Sequence, residues 1–314
     1  MKKLFVGILA MAAFAACATE DTIVTPQGQA IAFGDAFVDN ATKAIIADAN
    51  GINNFTVWGN VTGSNATPVA LYGESGAAVT RDNKANGEAW TCGTIRYWTP
   101  NCDFNFAAVA NGAGTDIANG LPTKISYELT AGDNDLIYAT ATANTKGTGY
   151  VPSVTDGIVA FTFNHLLSKV TFAVDASAIA QNGYSVVVTD IAVTGAVNKG
   201  VYTVGETVTG GTWEKATDAS TINQDYYEDA KYVSHLLIPN VAQELNVTVT
   251  YNILLNGTAL SSDLTKPGTV NYTFATNTAY TITATLSALN AIQFTVAENN
   301  GLGAWTDGSG ATIN

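Results

Sequence analysis

Short segments in which apolar and polar residues alternate recur along almost the whole chain, and turn residues separate them. Examples are FTVWGNV at 55–61, KISYELT at 124–130 and ELNVTVTYNILLNG at 244–257. Such segments follow one another about every 10 to 15 residues, with no long helical pattern between them. The abundance of Thr and Val also favours pleated sheet. The pattern therefore predicts an all-β protein of sandwiches with hairpin and Greek-key connections.

The 314 residues are enough for two domains of ordinary size. The stretch TKGTGYVPSVTD at 145–156 is rich in Gly, Thr and Pro and interrupts the succession of strand-like segments. We therefore expect an N-terminal sandwich over residues 44–155 and a C-terminal sandwich over residues 156–314. The length also leaves open a single large β domain.

Residues 1–17 have the pattern of an export signal. Two lysines precede an apolar run at 4–14, which is too short to span a bilayer as a helix. The run is followed by Ala-Ala-Cys, and small residues directly before a cysteine resemble the lipobox of bacterial lipoproteins. Acylation of Cys17 would anchor the exported chain to a membrane, since each buried CH₂ contributes about 0.8 kcal/mol. The alternative is an ordinary secretory signal with a chance cysteine.

The net charge of -13 argues against nucleic acid as a partner, because such binding is driven by Lys and Arg. Once Cys17 is modified, Cys92 and Cys102 remain. Outside the cytoplasm these two can pair as a disulfide, and the sequence is compatible with either a disulfide or two separate thiols. The sequence contains no CxxC pair and no metal-like Cys/His spacing, so we expect no metal and no cofactor.

No catalytic motif stands out in the sequence. His165 and His235 lie in apolar strand-like segments, which favours structural roles for both. The sequence has no G-x-S-x-G, HExxH or P-loop pattern, and nothing places the two carboxylates that a glycosidase needs. We therefore expect no enzymatic activity. Aromatic residues could form a sugar-binding platform, but on β-sandwiches they more often fill the core. They are Trp58, Trp90, Tyr97, Trp98, Trp213 and Trp305, and a mixed acidic and aromatic stretch at 223–232 is expected in a surface loop.

The segment QAIAFGDAFVDNATKAI at 29–45 stands apart between the signal and the body of the protein. Ile31, Phe33 and Phe37 fall on one face of a strand, and a lone Lys43 follows among small residues. Such a strand pairs its backbone with neighbours and places its side chains in a core. Its removal would expose an open sheet edge and unfilled pockets.

Seven segments, in order over nearly the whole chain, resemble the Bacteroidales fimbrillin family, the pilins of lipoprotein-derived fimbriae. They are the lipobox ending at Cys17, IAFGDAFVDNATKA from residue 31, FTVWGNV from 55, IRYWTPNCDFNFAAVA from 95, DLIYATATA from 135, FNHLLSKVTF from 163 and YTITATLSALNAIQFTVAENNGLGAW from 280. The combination is specific to the family more than to one role within a pilus.

The resemblance implies a fold of two transthyretin-like β-sandwiches in tandem and a route of assembly. A lipidated precursor reaches the outer membrane, and a trypsin-like protease removes residues 18–43 as a propeptide. Loss of the strand that carries Ile31, Phe33 and Phe37 leaves a groove. An extended C-terminal segment of the next subunit then fills this groove, so that subunits polymerise head-to-tail.

The expected cut site departs from the family's Thr-Arg-Ala, because this chain has Thr42-Lys43-Ala44. A trypsin-like protease accepts lysine at this position, whereas an arginine-specific protease would not. An uncut subunit would keep its own strand and could serve as the membrane anchor of a pilus. Lys43 could also be a solvated charge in a linker.

The candidate donor strand lies in the region 292–314. Ile292, Phe294 and Val296 alternate as a groove-filling strand should. The same alternation fits the last strand of the second sandwich, and the sequence leaves both interpretations open.

The resemblance thus predicts a structural stalk subunit that supports adhesion, has other pilus subunits as partners and is extracellular when mature. Two alternatives remain: a pilus anchor, and a non-polymerising outer-membrane lipoprotein that binds a host or bacterial receptor or a glycan.

Overall fold

The computed structural model describes residues 28–38, 52, 54–64, 66–81, 90–130, 134–287, 290–299 and 311–313. Within these residues the regular elements are strands, apart from a 3-10 turn at Thr155–Gly157. The strands in chain order are β1 (Ala32–Val38), β2 (Asn54–Gly63), β3 (Val69–Ala70), β4 (Ala77–Thr80), β5 (Thr91–Cys92), β6 (Cys102–Ala110), β7 (Ala113–Ala118), β8 (Leu121–Glu128), β9 (Ile137–Asn144), β10 (Ile158–His165), β11 (Ser168–Asp175), β12 (Tyr184–Val197), β13 (Lys199–Thr203), β14 (Thr212–Lys215), β15 (Thr221–Asp225), β16 (Tyr227–Glu228), β17 (Lys231–Tyr232), β18 (Ser234–Leu237), β19 (Gln243–Leu255), β20 (Thr258–Tyr272), β21 (Thr278–Thr285), β22 (Gln293–Glu298) and β23 (Ala311–Ile313). The predicted all-β class is confirmed.

The first hydrophobic core is built on a sheet of order β1-β10-β9-β6-β2-β4-β5, with β3 paired to β2. Its strands pair antiparallel except β1, which runs parallel to β10. β2 and β6 place Val57 and Phe106 in this core, and their opposite faces are buried as well, with Trp58 and Val109 in a separate cluster. Phe104, Phe106, Phe161 and Phe163 from these and neighbouring strands form the aromatic centre of this core.

The second core lies between two sheets, of order β18-β11-β21-β22-β23 and β15-β12-β19-β20. Val193 and Val247 come from the second of these sheets, and Ile282 and Val296 come from the first; all four are buried. This arrangement is a β-sandwich in which both inner faces contribute to one apolar layer.

A fourth sheet, of order β14-β13-β8-β7, joins the two halves of the chain. β8 pairs antiparallel with β13, and a third cluster, which includes Trp58, Leu166 and Trp213, fills the space at this junction. The expected division after residue 155 therefore does not separate the sheets. β10 follows it in sequence but adds Phe161 and Phe163 to the first core.

Candidate interaction site around the first strand

The segment from Gln29 to Val38 is held by backbone pairing on both of its sides. Along β1, Ala32 to Val38 pair parallel with β10, with an irregularity between Gly34 and Phe37. Just before β1, the Ile31 N–H donates to the Arg96 carbonyl at 2.8 Å, and the Trp98 N–H donates to the Gln29 carbonyl at 3.1 Å. The segment therefore has two backbone partners along its length: residues 96–98 pair with its first residues, and β10 pairs with the rest.

Two side chains of this segment enter the first core. Ile31 and Phe33 are 5% and 4% exposed. The Phe33 ring stacks on Phe161 at 5.9 Å between centroids and meets the edge of Phe106, also at 5.9 Å. Burial of each such side chain contributes about 1.5–3 kcal/mol, and each aromatic pair adds about 0.5–1.5 kcal/mol. Phe37 lies in β1, but its side chain is outside the described part of the structure.

The wall of the Phe33 pocket is aromatic and uncharged. Phe55 and Tyr72 complete it, with their ring centroids at 6.5 and 6.2 Å from that of Phe33. Burial raises the pKa of the Tyr72 hydroxyl well above its usual range. Arg96 lies at the rim, where its guanidinium donates to the Leu71 carbonyl and lies 5.9 Å from the Tyr72 ring. An occupant of this pocket must therefore be an apolar strand.

The predicted donor residues lie in the second core in this structure. Val296 is fully buried, and Ile292 and Phe294 are nearly so. β22 pairs antiparallel with β21 on one edge and with β23 on the other, where Phe294 lies opposite Ile313. The structure thus shows the arrangement in which this segment is a strand of the second sandwich.

The other predicted site residues have separate locations. Cys92 lies in β5 and Cys102 begins β6, and no disulfide joins them in this structure. Each thiol donates to a nearby carbonyl, that of Thr94 and that of Pro100. Cys17, Lys43 and Ala44 lie outside the described residues, as does Trp305.

A buried polar pair lies where the first core meets the junction. His165 Nδ1 and an oxygen of the Asp135 carboxylate are 2.5 Å apart, and both side chains are almost completely buried. Trp213 Nε1 donates to the Leu166 carbonyl at 2.9 Å in the same region. Burial lowers the pKa of the nearby Lys169 ammonium, an effect that the Asp135 carboxylate opposes. His165 is thus buried and paired with a carboxylate, which is compatible with the structural role that the sequence predicts.

Three of the aromatic residues considered for a sugar-binding platform lie inside the protein. Trp58, Trp98 and Trp213 are buried, as expected for core residues. The expectation of a surface loop at 223–232 is wrong for Tyr226, which is fully buried and contacts the His235 ring edge-on at 4.7 Å between centroids. No group of three or more His, Cys, Asp or Glu that could hold a metal occurs among the described residues. In the same part of the chain, no helix has the length and apolar character needed to cross a bilayer.

Solved structures of similar fold come from Bacteroides species. A fimbrial protein from Bacteroides vulgatus is 15% identical, with a TM-score of 0.52 over 84% of this chain and 98% of that one. A candidate cell adhesion protein from Bacteroides uniformis is 18% identical, with a TM-score of 0.54 over 90% and 100%. A third, from Bacteroides ovatus, is 14% identical with a TM-score of 0.51 over 90% and 99%. At these identities the likeness concerns the fold.

No curated protein matches the chain. A family model described as fimbrillin-like matches residues 42–299, which is most of the chain. The match begins after β1, so the first strand lies outside it. The resemblance seen in the sequence is confirmed: this chain belongs to the fimbrillin-like family.

Proposed function

We propose that this chain is a structural subunit of a surface fimbria, in which β1 is a temporary strand that is later replaced by a strand of a neighbouring subunit. The observation that carries the proposal is the position of Ile31 and Phe33. Both side chains belong to the first core, yet they precede the family match and the lone Lys43 in sequence. A cut at Lys43 would leave β1 held only by noncovalent contacts.

The energetics favour replacement once β1 has left. Departure of the strand would expose the Ile31 and Phe33 pockets and the backbone edge of β10. Each buried apolar side chain is worth about 1.5–3 kcal/mol, so an open groove gains several kcal/mol from a new strand. Addition of a strand from another copy is head-to-tail and generates a filament.

The proposed processing route follows from the N-terminal sequence. Residues 1–17 direct export and end at Cys17, which is acylated, so that the precursor is a lipoprotein of the outer membrane. A trypsin-like protease cuts between Lys43 and Ala44, and residues 18–43 leave with β1. The mature subunit is then extracellular, with other fimbrial subunits as its partners.

The proposed donor is the part of the C-terminal region beyond β22. Withdrawal of Ile292, Phe294 and Val296 would open the second core and cost about 1.5–3 kcal/mol for each side chain. A donor that uses Ala311–Ile313 gives up its pairing with β22 but leaves the buried side chains of β22 in the second core. Ile292, Phe294 and Val296 then remain as the strand that carries the donor segment.

Limited proteolysis tests the proposal. The exported precursor is treated with a low dose of trypsin, the new N-terminus is read by mass spectrometry, and the product is followed on SDS gels. We expect a cut after Lys43 and then SDS-stable ladders. Lys43→Ala should prevent both, whereas Lys43→Arg should preserve both and admit an arginine-specific protease. A cut chain that releases β1 and stays monomeric for days would contradict polymerisation and support a non-polymerising adhesin.

A further inference from the structure

Two glycines of the first strand segment lie against neighbours that leave no room for a side chain. A Cβ on Gly28 would lie 2.6 Å from the Trp98 carbonyl oxygen, and a Cβ on Gly34 would lie 2.7 Å from Ile158 Cγ2. Neither glycine is among those with a positive φ. The requirement for glycine is therefore steric, and it comes from the walls of the groove.

The two obstacles differ in how easily they move. The Trp98 carbonyl belongs to a backbone that is hydrogen-bonded to Gln29, so it cannot retreat without loss of that bond. Ile158 is 39% exposed, and its side chain can rotate, although β-branched residues strongly prefer one rotamer. A side chain at position 28 is thus excluded by the backbone, whereas a side chain at position 34 can be admitted if Ile158 changes its rotamer.

The edges of the groove also define the direction of the strand. Gln29 to Ile31 run antiparallel to residues 96–98, and Ala32 to Val38 run parallel to β10. A strand inserted in the reverse direction would not place its glycines opposite Trp98 and Ile158 and its apolar residues in the two pockets. The groove therefore fixes both the direction and the register of the strand that it binds.

We propose that the vacated groove selects its occupant by four positions and by polarity. It takes an extended strand that runs in the direction of β1, with glycine in the place of Gly28 and apolar side chains in the places of Ile31 and Phe33. Ile158 is the specificity-determining residue at the fourth position, where it favours glycine. This inference rests on the proposed replacement of β1.

The two candidate segments of the chain differ in how well they fit. If Ile292 and Phe294 took the places of Ile31 and Phe33, Leu289 would fall at the Gly28 position and Thr295 at the Gly34 position. β22 therefore supplies the two apolar residues but has a side chain at both positions where the groove requires glycine.

Residues 308–314 of a second copy fit better. With Gly308 in the place of Gly28, Ala311 and Ile313 take the two apolar positions. Registers that begin at Gly301 or Gly303 instead place Thr306 at one of those positions. Asn314 falls at the Gly34 position, so Ile158 must rotate to admit this segment. The groove therefore binds β1 more tightly than residues 308–314. The replacement strand can enter only after proteolysis has allowed β1 to leave.

Peptide binding to the trypsin-cut chain, after β1 has been separated from it, tests the proposal. The probes are fluorescent peptides of residues 28–38 and 304–314. Gly28→Val and Gly308→Val should each weaken binding more than tenfold, whereas Thr312→Val should change it less than twofold. Ile158→Ala in the protein should strengthen binding of the 304–314 peptide about fivefold and leave the 28–38 peptide within twofold, since Ile158 has to leave its preferred rotamer only for the 304–314 peptide. Equal binding of Gly308→Val and unchanged 304–314, or no effect of Ile158→Ala on 304–314, would overturn the proposal.

The intact chain provides a second measurement that does not depend on exchange. Gly34→Val should lower Tm by several degrees, the exposed Ala32→Val on the same strand should not, and Ile158→Ala should restore most of the loss in Gly34→Val. If the 28–38 peptide fails to bind but this pattern holds, the proposed replacement of β1 is contradicted while the steric requirement stands. If Gly34→Val leaves Tm unchanged, Ile158 does not select at this position.

Discussion

Both cores contain a strand segment that begins Ala-Ile-x-Phe, at residues 30–33 in the first and 291–294 in the second. In each segment the Ile and the Phe are buried among the residues of their own core. The first segment pairs parallel with β10 and precedes the lone Lys43, whereas the second pairs antiparallel with β21 within the family match. The same pair of side chains therefore occurs in a strand that, under the proposed function, leaves after proteolysis, and in a strand that stays in its sheet. Connectivity, more than side-chain chemistry, makes the difference.

The exposed edges of the two halves differ as well. β20, at the edge of its sheet, carries Lys266 and Pro267, and its Asp263 has φ 53°. Proline and charge weaken an edge as a template for another strand, and a local irregularity has the same effect. β10 presents Ile158 to Phe163 to β1 without a proline or a charged residue, although the pairing has one register shift between Gly34 and Phe37. The residues of β20 thus protect the edge of the second sandwich from pairing with another strand. In the first sheet, β1 covers the edge of β10.

The largest expected effect is on Phe33. Phe33→Ala and the matched Phe294→Ala should each cost about 3–5 kcal/mol of unfolding free energy in the uncut chain, because each leaves a cavity in a core. After a trypsin cut the two variants should diverge. Release of the 18–43 fragment, measured by size exclusion and mass spectrometry, should be faster in Phe33→Ala only. Equal acceleration in both variants would remove the distinction between the strands.

A second effect concerns the junction that the two halves share. Asp135→Ala should cost about 3 kcal/mol, since it leaves the buried His165 without its carboxylate partner. Because the third cluster joins both halves, denaturant unfolding should shift as one transition by fluorescence and by circular dichroism. Asp135→Asn is the matched control, which retains the shape of the side chain and should cost less. Two separate transitions in Asp135→Ala would show that the halves unfold independently.

Alkaline pH gives a smaller effect. Burial raises the pKa of Tyr138 at the junction and of Tyr280 in the second core to about 12 in each case. The folded protein keeps these protons when the unfolded chain has lost them. The tyrosine contribution is therefore complete below about pH 10 and is lost as pH rises from about 10 to 12. Tyr280→Phe should flatten this decline in a pH series of urea midpoints. An unchanged slope would exclude Tyr280 as its source.

The smallest effect is expected at an exposed ion pair on the first sheet. Lys146 and the Asp103 carboxylate are both about half exposed. Such pairs contribute about 0–1 kcal/mol, because water and salt screen them. Lys146→Ala should therefore shift the urea midpoint only slightly, and less in high salt. A loss as large as that of Phe33→Ala would show that this surface supports the groove.

Local pattern predicted much of the fold. FTVWGNV at 55–61 lies within β2, and ELNVTVTYNILLNG at 244–257 covers most of β19. Alternation and turn residues suffice here because the signal lies within a few neighbouring residues.

Long-range pairing could not be predicted in the same way. Nothing local shows that β8 pairs with β13, or that β10 completes the first core from beyond the expected boundary. At the site, the alternation of Ile31 and Phe33 revealed the buried face. The need for glycine at Gly28 and Gly34 depends on Trp98 and Ile158, which are distant in sequence.

Hydrogen exchange measured by mass spectrometry tests the central claim most directly. Amide protection is compared in the uncut chain, in the cut monomer after release of β1, and in the polymer. If β1 is replaced by a strand of a neighbour, Ile158–His165 loses protection in the released monomer and regains it in the polymer, while Gln293–Glu298 and the strands around it stay protected throughout. Full protection of Ile158–His165 in the released monomer, or the same loss in both regions, would contradict it.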